Sequence, residues 1–261
     1  MGAMKGIVLG GGLLLAASAG VAQTPRGDPK ATEQWSPAVP VVTPGTFAGW
    51  NAPADAMVLF DGKNLDQWSA VNTGGAAGWT VADGVFTVKK GTGNIQTKQS
   101  FGSYQLHLEY RIPANITGEG QARGNSGLFL ASTGKGDDGY EMQIMDSYNN
   151  PTYVNGQLGA IYKQTPPLAN PARKPGEWQT VDVTWSAPQF GADGAVTRPA
   201  FVTAYINGVL TQNHTEVRGG TVYIGKPKYV AHGRAPIKLQ DHGDPSQPIS
   251  YRNIWIRDLK D

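Results

Sequence analysis

From residue 57 onward the apolar residues of this chain fall at every second position, in short runs cut by turn-forming pairs. That period belongs to strands rather than helices. In residues 105–112 (QLHLEYRI), Leu106, Leu108, Tyr110 and Ile112 share one face, and Gln105, His107, Glu109 and Arg111 share the other. In residues 140–145 (YEMQIM), Tyr140, Met142 and Ile144 oppose Glu141, Gln143 and Met145. The same alternation recurs in residues 180–185, 201–207 and 237–242, while Asp83-Gly84, Asn207-Gly208 and Gly219-Gly220 supply turn signals. No segment carries an amphipathic helix of a dozen residues. The expectation is an all-β chain: a single jelly-roll sandwich of two antiparallel sheets over residues 57–261.

What precedes that body differs in kind. Residues 1–22 combine a basic start at Lys5, an apolar stretch over 7–17 and small residues at Gly20, Val21 and Ala22, the pattern of a secretory leader. The apolar stretch is shorter than the ~20 residues a membrane span requires. The expectation is therefore a signal peptide over 1–22 and a periplasmic or secreted mature protein without an integral span. Residues 23–56 hold Pro25, Pro29, Pro37, Pro40, Pro44 and Pro53 and read as a Pro-rich N-terminal extension, an extended tether, although Trp35 and Trp50 could pin it to the domain. The chain has no cysteine, which excludes disulfides, thiol catalysis and thiolate zinc sites. Its 22 Lys and Arg against 20 Asp and Glu leave +2, which gives no electrostatic case for nucleic acid.

One face of a sandwich sheet is free to carry function, and the outward rows here are unusually polar. His107, Glu109 and Arg111 form one row, Glu141 and Gln143 a second, and Lys238, Gln240 and His242 a third. Such rows suit a ligand site, and they also suit ladders of cross-strand pairs contributing roughly 0.2–1 kcal/mol each.

Five segments in order, LFDGKNLDQW (59–68), GNSGLFL (124–130), GYEMQIMD (139–146), GAIYK (159–163) and LQDHG with RNIWI (239–243, 252–256), resemble the 3-keto-disaccharide hydrolase domain family, whose members have a fold like that of concanavalin-type lectins and glucanases. GWTVADGVFTV (78–88), KPGEWQTVDV (174–183) and YINGVL (205–210) support the resemblance. It implies a secreted enzyme acting on glycosides whose sugar already carries a ketone at the third carbon. That ketone acidifies the hydrogen on the second carbon, so a base can remove it and the enolate can expel the anomeric substituent, after which water can add. Such a site needs a base, donors for the enolate oxygen and an acid for the departing oxygen.

Among the residues of those segments His242 is the expected base, with Asp241 available to orient it. Glu141 is the expected proton donor or a metal ligand. Asn125, Gln143, Gln240, Tyr162, Lys163, Glu109 and Arg111 are the expected substrate contacts, with Tyr148 and Tyr153 as further stacking aromatics on a rim. Gly127 leaves room for a ligand. The family often has an arginine where this chain has Ala131, and Arg111 or Lys163 could supply the missing charge. A divalent metal could bind among Glu, His and Gln oxygens, although no ligand-spacing motif marks one. No dinucleotide fingerprint is present, so the oxidation that makes the ketone belongs to another protein. Two other functions fit the same sandwich. A carbohydrate-binding module needs no acid and base, and an ordinary endoglucanase needs two carboxylates at alternate positions of one strand, where Gln143 takes the second place.

Overall fold

The structure, a computed structural model, describes residues 27–41 and 52–259. The expected signal peptide and Trp50 lie outside those residues. Fifteen strands follow in the described chain: β1 (Met57–Phe60), β2 (Trp68–Ala70), β3 (Thr80–Ala82), β4 (Val85–Thr87), β5 (Ile95–Thr97), β6 (Tyr104–Arg111), β7 (Asn125–Ser132), β8 (Gly139–Met145), β9 (Trp178–Ser186), β10 (Gln189–Phe190), β11 (Val196–Arg198), β12 (Ala200–Ile206), β13 (Val209–Val217), β14 (Lys238–Leu239) and β15 (Ser250–Asp258). The only helical turns described are three short 3-10 segments.

The strands form two antiparallel sheets. One has eight strands in the order β13-β12-β9-β6-β15-β4-β3, with β1 also paired to β15. The other has five, β2-β5-β14-β7-β8, and β10 and β11 form a separate ribbon. The period-two rows close the sandwich. Leu106, Leu108 and Tyr110 of β6 and Val181, Val183 and Trp185 of β9 meet Leu128, Leu130, Tyr140, Met142, Ile144 and Leu239 of the smaller sheet in one buried core. The first family-like segment adds Leu59, Phe60 and Trp68, whose indole Nε1 donates to the Leu59 carbonyl at 2.9 Å. Two of the turn signals close hairpins. Asp83 and Gly84 (φ 51° and 76°) join β3 to β4, and Asn207 and Gly208 (φ 52° and 76°) join β12 to β13. Left-handed backbone at both central positions matches the twist of the flanking strands.

Two expectations change. The row His107, Glu109, Arg111 was expected to share a platform with Glu141 and Gln143, but β6 belongs to the eight-stranded sheet and β8 to the five-stranded one. Since both strands turn their apolar rows into the common core, their polar rows point away from each other, and Glu109 and Arg111 are removed from the candidate site. They belong to a cluster of their own. His107 Nδ1 meets Asp182 at 2.7 Å, while Glu109 accepts from Arg252 Nε at 2.7 Å and from Asn253 Nδ2 at 2.8 Å. Burial alone would raise the Glu109 carboxyl, but its bonds to His107, Asn253 and Arg252 bring it down to about 2. The Arg111 and Arg252 guanidinium carbons lie 4.7 and 3.9 Å from the Trp178 ring centre.

The extension, over its described residues, is docked rather than a free tether. Gln34 N–H donates to Asn155 Oδ1 at 3.0 Å, Asn155 Nδ2 donates to the Thr32 carbonyl at 3.0 Å, and Val154 N–H donates to the Gln34 carbonyl at 2.6 Å. Farther along, Asn170 N–H donates to the Pro40 carbonyl at 2.7 Å. Trp35 does take part in the pinning, its ring edge-on to Tyr153 at 6.4 Å.

Candidate functional site

The outward face of the five-stranded sheet floors a cavity of about 350 Å³ lined by Asn125, Asp137, Glu141, Gln143, Tyr162, Thr221, Tyr223, Gln240 and His242. Six of these residues were expected from the sequence: Asn125, Glu141, Gln143, Tyr162, Gln240 and His242. The strand register explains their meeting. On β7 and β8, Gly127 stands opposite Gln143 and Phe129 opposite Glu141. Beside them β14 pairs with β7, and Gln240 N–H donates to the Gly127 carbonyl at 3.1 Å, which carries the chain on to His242.

Gly127 is required by this arrangement. A β-carbon there would lie 2.7 Å from Glu141 Oε1, closer than carbon and oxygen approach. The missing side chain is the space that the Glu141 carboxyl occupies. Glu141 is 5% exposed, and its carboxyl has no hydrogen-bond partner among the described residues. Its backbone is held on both sides, donating to Thr221 Oγ1 at 2.9 Å and accepting from Tyr162 N–H at 3.1 Å. Burial, helped by the nearby Asp137 charge and opposed by Lys238, pushes the carboxyl up to about 8. At neutral pH Glu141 therefore keeps its proton, as a general acid must.

His242 presents the opposite chemistry. Its Nδ1 lies 3.0 Å from Asp244 Oδ2, and its Nε2 lies 3.4 Å from Asn125 Nδ2. Asp244 is itself fixed by Lys90 Nζ at 3.0 Å and by the Ser246 N–H at 2.9 Å. Although burial opposes it, bonds from His242, Ser246 and Lys90 hold the Asp244 carboxyl far below its usual range. An ionised Asp244 favours the proton on Nδ1, which leaves Nε2 as an acceptor beside the Asn125 amide in the cavity lining. The orienting carboxylate is thus Asp244 and not Asp241, whose Oδ2 accepts from the Gly93 N–H at 2.9 Å. Asp244 is not among the residues expected from the sequence. Its position two residues after the histidine was the available signal.

Amide side chains complete the floor. Gln143 Nε2 donates to Gln121 Oε1 at 3.1 Å and to Asn125 Oδ1 at 3.2 Å, and Asn125 Nδ2 donates to the Gln121 carbonyl at 2.9 Å. These bonds fix the orientation of Gln143, and its Oε1 is buried without a partner, as is Oε1 of Gln240. Buried acceptors are normally satisfied, so two orphans lining one cavity suit the hydroxyl groups of a ligand. A group of three or more His, Asp or Glu side chains able to hold a metal is absent among the described residues. The donors nearest to such a role are the Glu141 carboxyl and these two amide oxygens.

Tyr162 reaches the cavity wall with its hydroxyl 2.6 Å from that of Tyr153. Lys163 does not line the cavity. It adopts φ 55°, and its ammonium donates to the Pro29 carbonyl at 2.9 Å and the Tyr223 carbonyl at 3.0 Å. It therefore ties the extension to the loop carrying Tyr223 and is not a direct contact in this cavity. Tyr153 is buried beneath that junction, and Tyr148 lies outside the cavity lining. Lys238, outward on β14, is also buried, donating to the Gly136 and Asp138 carbonyls at 2.9 and 2.7 Å.

A family model described as a 3-keto-alpha-glucoside-1,2-lyase-like domain matches residues 55–257. The chain belongs to this family. The crystal structure of a "putative glycosyl hydrolase" from Parabacteroides distasonis shares 53% identity with this 3-keto-alpha-glucoside-1,2-lyase-like chain, covering 90% of it and all of the other, with a TM-score of 0.77. That coverage exceeds what residues 55–257 supply, so the similarity extends beyond the family model. A second such structure from the same organism shares 23% identity over 78% of this chain and 94% of its own, with a TM-score of 0.56, and supports the fold. No curated protein matches. Family and site together make the chain a carbohydrate-active protein of the glycoside-acting kind. Among the described residues no helix is long and apolar enough to cross a membrane.

Proposed function

We propose that the protein is a secreted enzyme that cleaves 3-keto-glycosides by elimination across the first and second carbons, followed by hydration. The observation that carries this reading is the pairing, in one cavity, of a carboxyl that keeps its proton to about pH 8 with an Asp244-oriented imidazole whose Nε2 lies beside Asn125 in the lining of the same space. His242 Nε2 takes the proton from the second carbon. The electron pair enters the enolate of the ketone, then forms the bond between the first and second carbons as the anomeric oxygen leaves. Glu141 gives that oxygen its proton. In the hydration half the roles reverse, with ionised Glu141 activating water and the His242 imidazolium returning the proton to the second carbon. Thr221 accepts from the Glu141 N–H through Oγ1, so its own proton is available to the enolate oxygen. An ordinary glycosidase uses two carboxylates flanking the bond, whereas here an amide, Gln143, stands two residues from Glu141.

The test is incubation of the mature protein with methyl 3-keto-α-glucoside and with methyl α-glucoside, with and without chelator, following released methanol and ketone absorbance. Release from the keto sugar alone, abolished in Glu141→Gln and His242→Asn, is expected. A chelator effect would make the Glu141 and amide oxygens metal donors. Binding without release would identify a carbohydrate-binding module instead. Secretion through residues 1–22 is checked by N-terminal sequencing of the exported protein, and an intact Met1 would refute it.

A further inference from the structure

The hairpin loop between β7 and β8 is built around a buried lysine and delivers a carboxylate to the cavity. Lys238 is 0% exposed, and its ammonium donates to the Gly134, Gly136 and Asp138 carbonyls at 3.4, 2.9 and 2.7 Å. Asn94, also buried, holds the same loop. Its Nδ2 donates to the Gly136 carbonyl at 2.9 Å and to Asp137 Oδ1 at 2.8 Å, while its Oδ1 accepts from the Asp241 N–H at 2.8 Å. The loop is thus held chiefly through its carbonyls, and Asp137 is left lining the cavity. One oxygen of Asp137 is oriented by Asn94, and the other, Oδ2, has no hydrogen-bond partner among the described residues. No Lys or Arg is among the lining residues, and the Lys238 ammonium is committed to the loop. A carboxylate held in place without an ion pair is a strong acceptor for a neutral donor such as a hydroxyl.

The position of Asp137 selects the hydroxyl. Thr221 runs along the edge strand β8, its N–H donating to the Gly139 carbonyl at 2.7 Å and its Oγ1 accepting from the Glu141 N–H. Asn94 stands at the other side of the floor, directly before β5, which β14 and β7 separate from β8. Asp137, fixed by Asn94, therefore faces Thr221 across the cavity. With the oxygen of the third carbon at Thr221, the hydroxyls on the second and fourth carbons flank it and stay on the near side. The far side of the pyranose holds the ring oxygen and the fifth carbon with its hydroxymethyl group. We infer that Asp137 is the specificity-determining residue of the cavity, accepting through Oδ2 from the hydroxyl on the sixth carbon, so that the substrate is a hexoside with that hydroxyl free. The inference rests on the function proposed above, which places the third-carbon oxygen at Thr221.

The experiment compares methyl 3-keto-α-glucoside with its 6-deoxy counterpart, which lacks only the sixth-carbon hydroxyl, on the mature protein. The wild type is expected to favour the hydroxylated sugar about tenfold or more in kcat/KM, because a site built to bond a hydroxyl rejects the analogue without it. Asp137→Ala should abolish that preference. Removing the Asp137 charge also changes the acidity of Glu141, but this acts on both sugars alike and cancels in the ratio. A wild-type ratio near one, or a preference that Asp137→Ala retains, would overturn the assignment. If Asp137→Ala does not fold, Asp137→Asn takes its place and should lower the ratio about threefold or more; an unchanged ratio would overturn it. If the wild type turns over neither keto sugar, the proposed function fails, and equilibrium binding decides the subsite by itself. Methyl α-glucoside should then bind the wild type about fivefold or more tightly than methyl 6-deoxy-α-glucoside, an advantage absent in the variant. Equal affinity for the two would refute it.

Discussion

Replacing Glu141 with glutamine should stabilise the protein while abolishing turnover, and the stabilisation should grow with pH. An ordinary glutamate ionises near 4.5, whereas folding holds Glu141 protonated to about 8. Between those values the unfolded chain has released its proton and the folded chain has not. Each pH unit in that window therefore costs the folded state about 1.4 kcal/mol. The sign follows from the folded state binding the extra proton: the stability associated with the neutral carboxyl is complete below pH 4.5 and is lost as pH rises through 8. Glutamine does not titrate and has nearly the same shape. The stability difference between Glu141→Gln and wild type should be small at pH 4.5, about 3 kcal/mol at pH 7 and about 5 kcal/mol at pH 8, then level off. Urea unfolding at a series of pH values measures it directly. A difference that stays constant from pH 5 to 8 would refute the claim that Glu141 is a proton-holding acid, and with it the assignment of roles in the cavity.

Three further outcomes probe the supports of that pair. Gly127→Ala places a β-carbon against Glu141 Oε1. It should cut kcat at least tenfold at a stability cost of ~1–3 kcal/mol, and full activity in a folded variant would show that the carboxyl position does not matter. Asp244→Asn removes the carboxylate that sets the His242 tautomer, so kcat should fall by ~10²-fold, with KM for methyl 3-keto-α-glucoside little changed. Unaltered kcat would return the orienting role to another group. Lys238→Met removes one of the donors to the Gly136 and Asp138 carbonyls, which keep Asn94 Nδ2 and the Thr133 N–H, and should destabilise by ~1–2 kcal/mol. Since the Lys238 charge holds the Glu141 carboxyl lower than burial alone would, the alkaline limb of the pH–rate profile should also move upward, and an unmoved limb would contradict that coupling.

The fold and most of the cavity floor were legible in the sequence because both depend on local order. Period two tells which residues of a strand share a face, and for β7, β8 and β14 the outward row beside the cavity was the face opposite Leu128, Met142 and Leu239, as alternation requires. Alternation does not tell which sheet a strand joins. The row of His107, Glu109 and Arg111 obeys the same period, yet β6 hydrogen-bonds to β9 and β15, and a strand on the far side of the core must present its polar row to the far side of the molecule. Sheet membership is set by pairings between segments as far apart as Met57 and Ile256, which no window along the chain contains. The same limit hid the extension. Its prolines mark extended backbone, and extended backbone is equally compatible with a tether and with a docked strap. What distinguishes them is Asn155, 121 residues away from the Gln34 amide that it receives, and an asparagine in a loop carries no mark of the partner it is reserved for. Asp244 shows the converse case. The information was local, a carboxylate two residues beyond a histidine, but a turn and a catalytic orienter use the same residue type, and only the cavity around Nε2 separates them. A polar row therefore identifies a candidate site when its strands are known to be neighbours, and the cavity floor built from one sheet was readable for that reason, whereas the docking of residues 28–41 depended on the tertiary contacts.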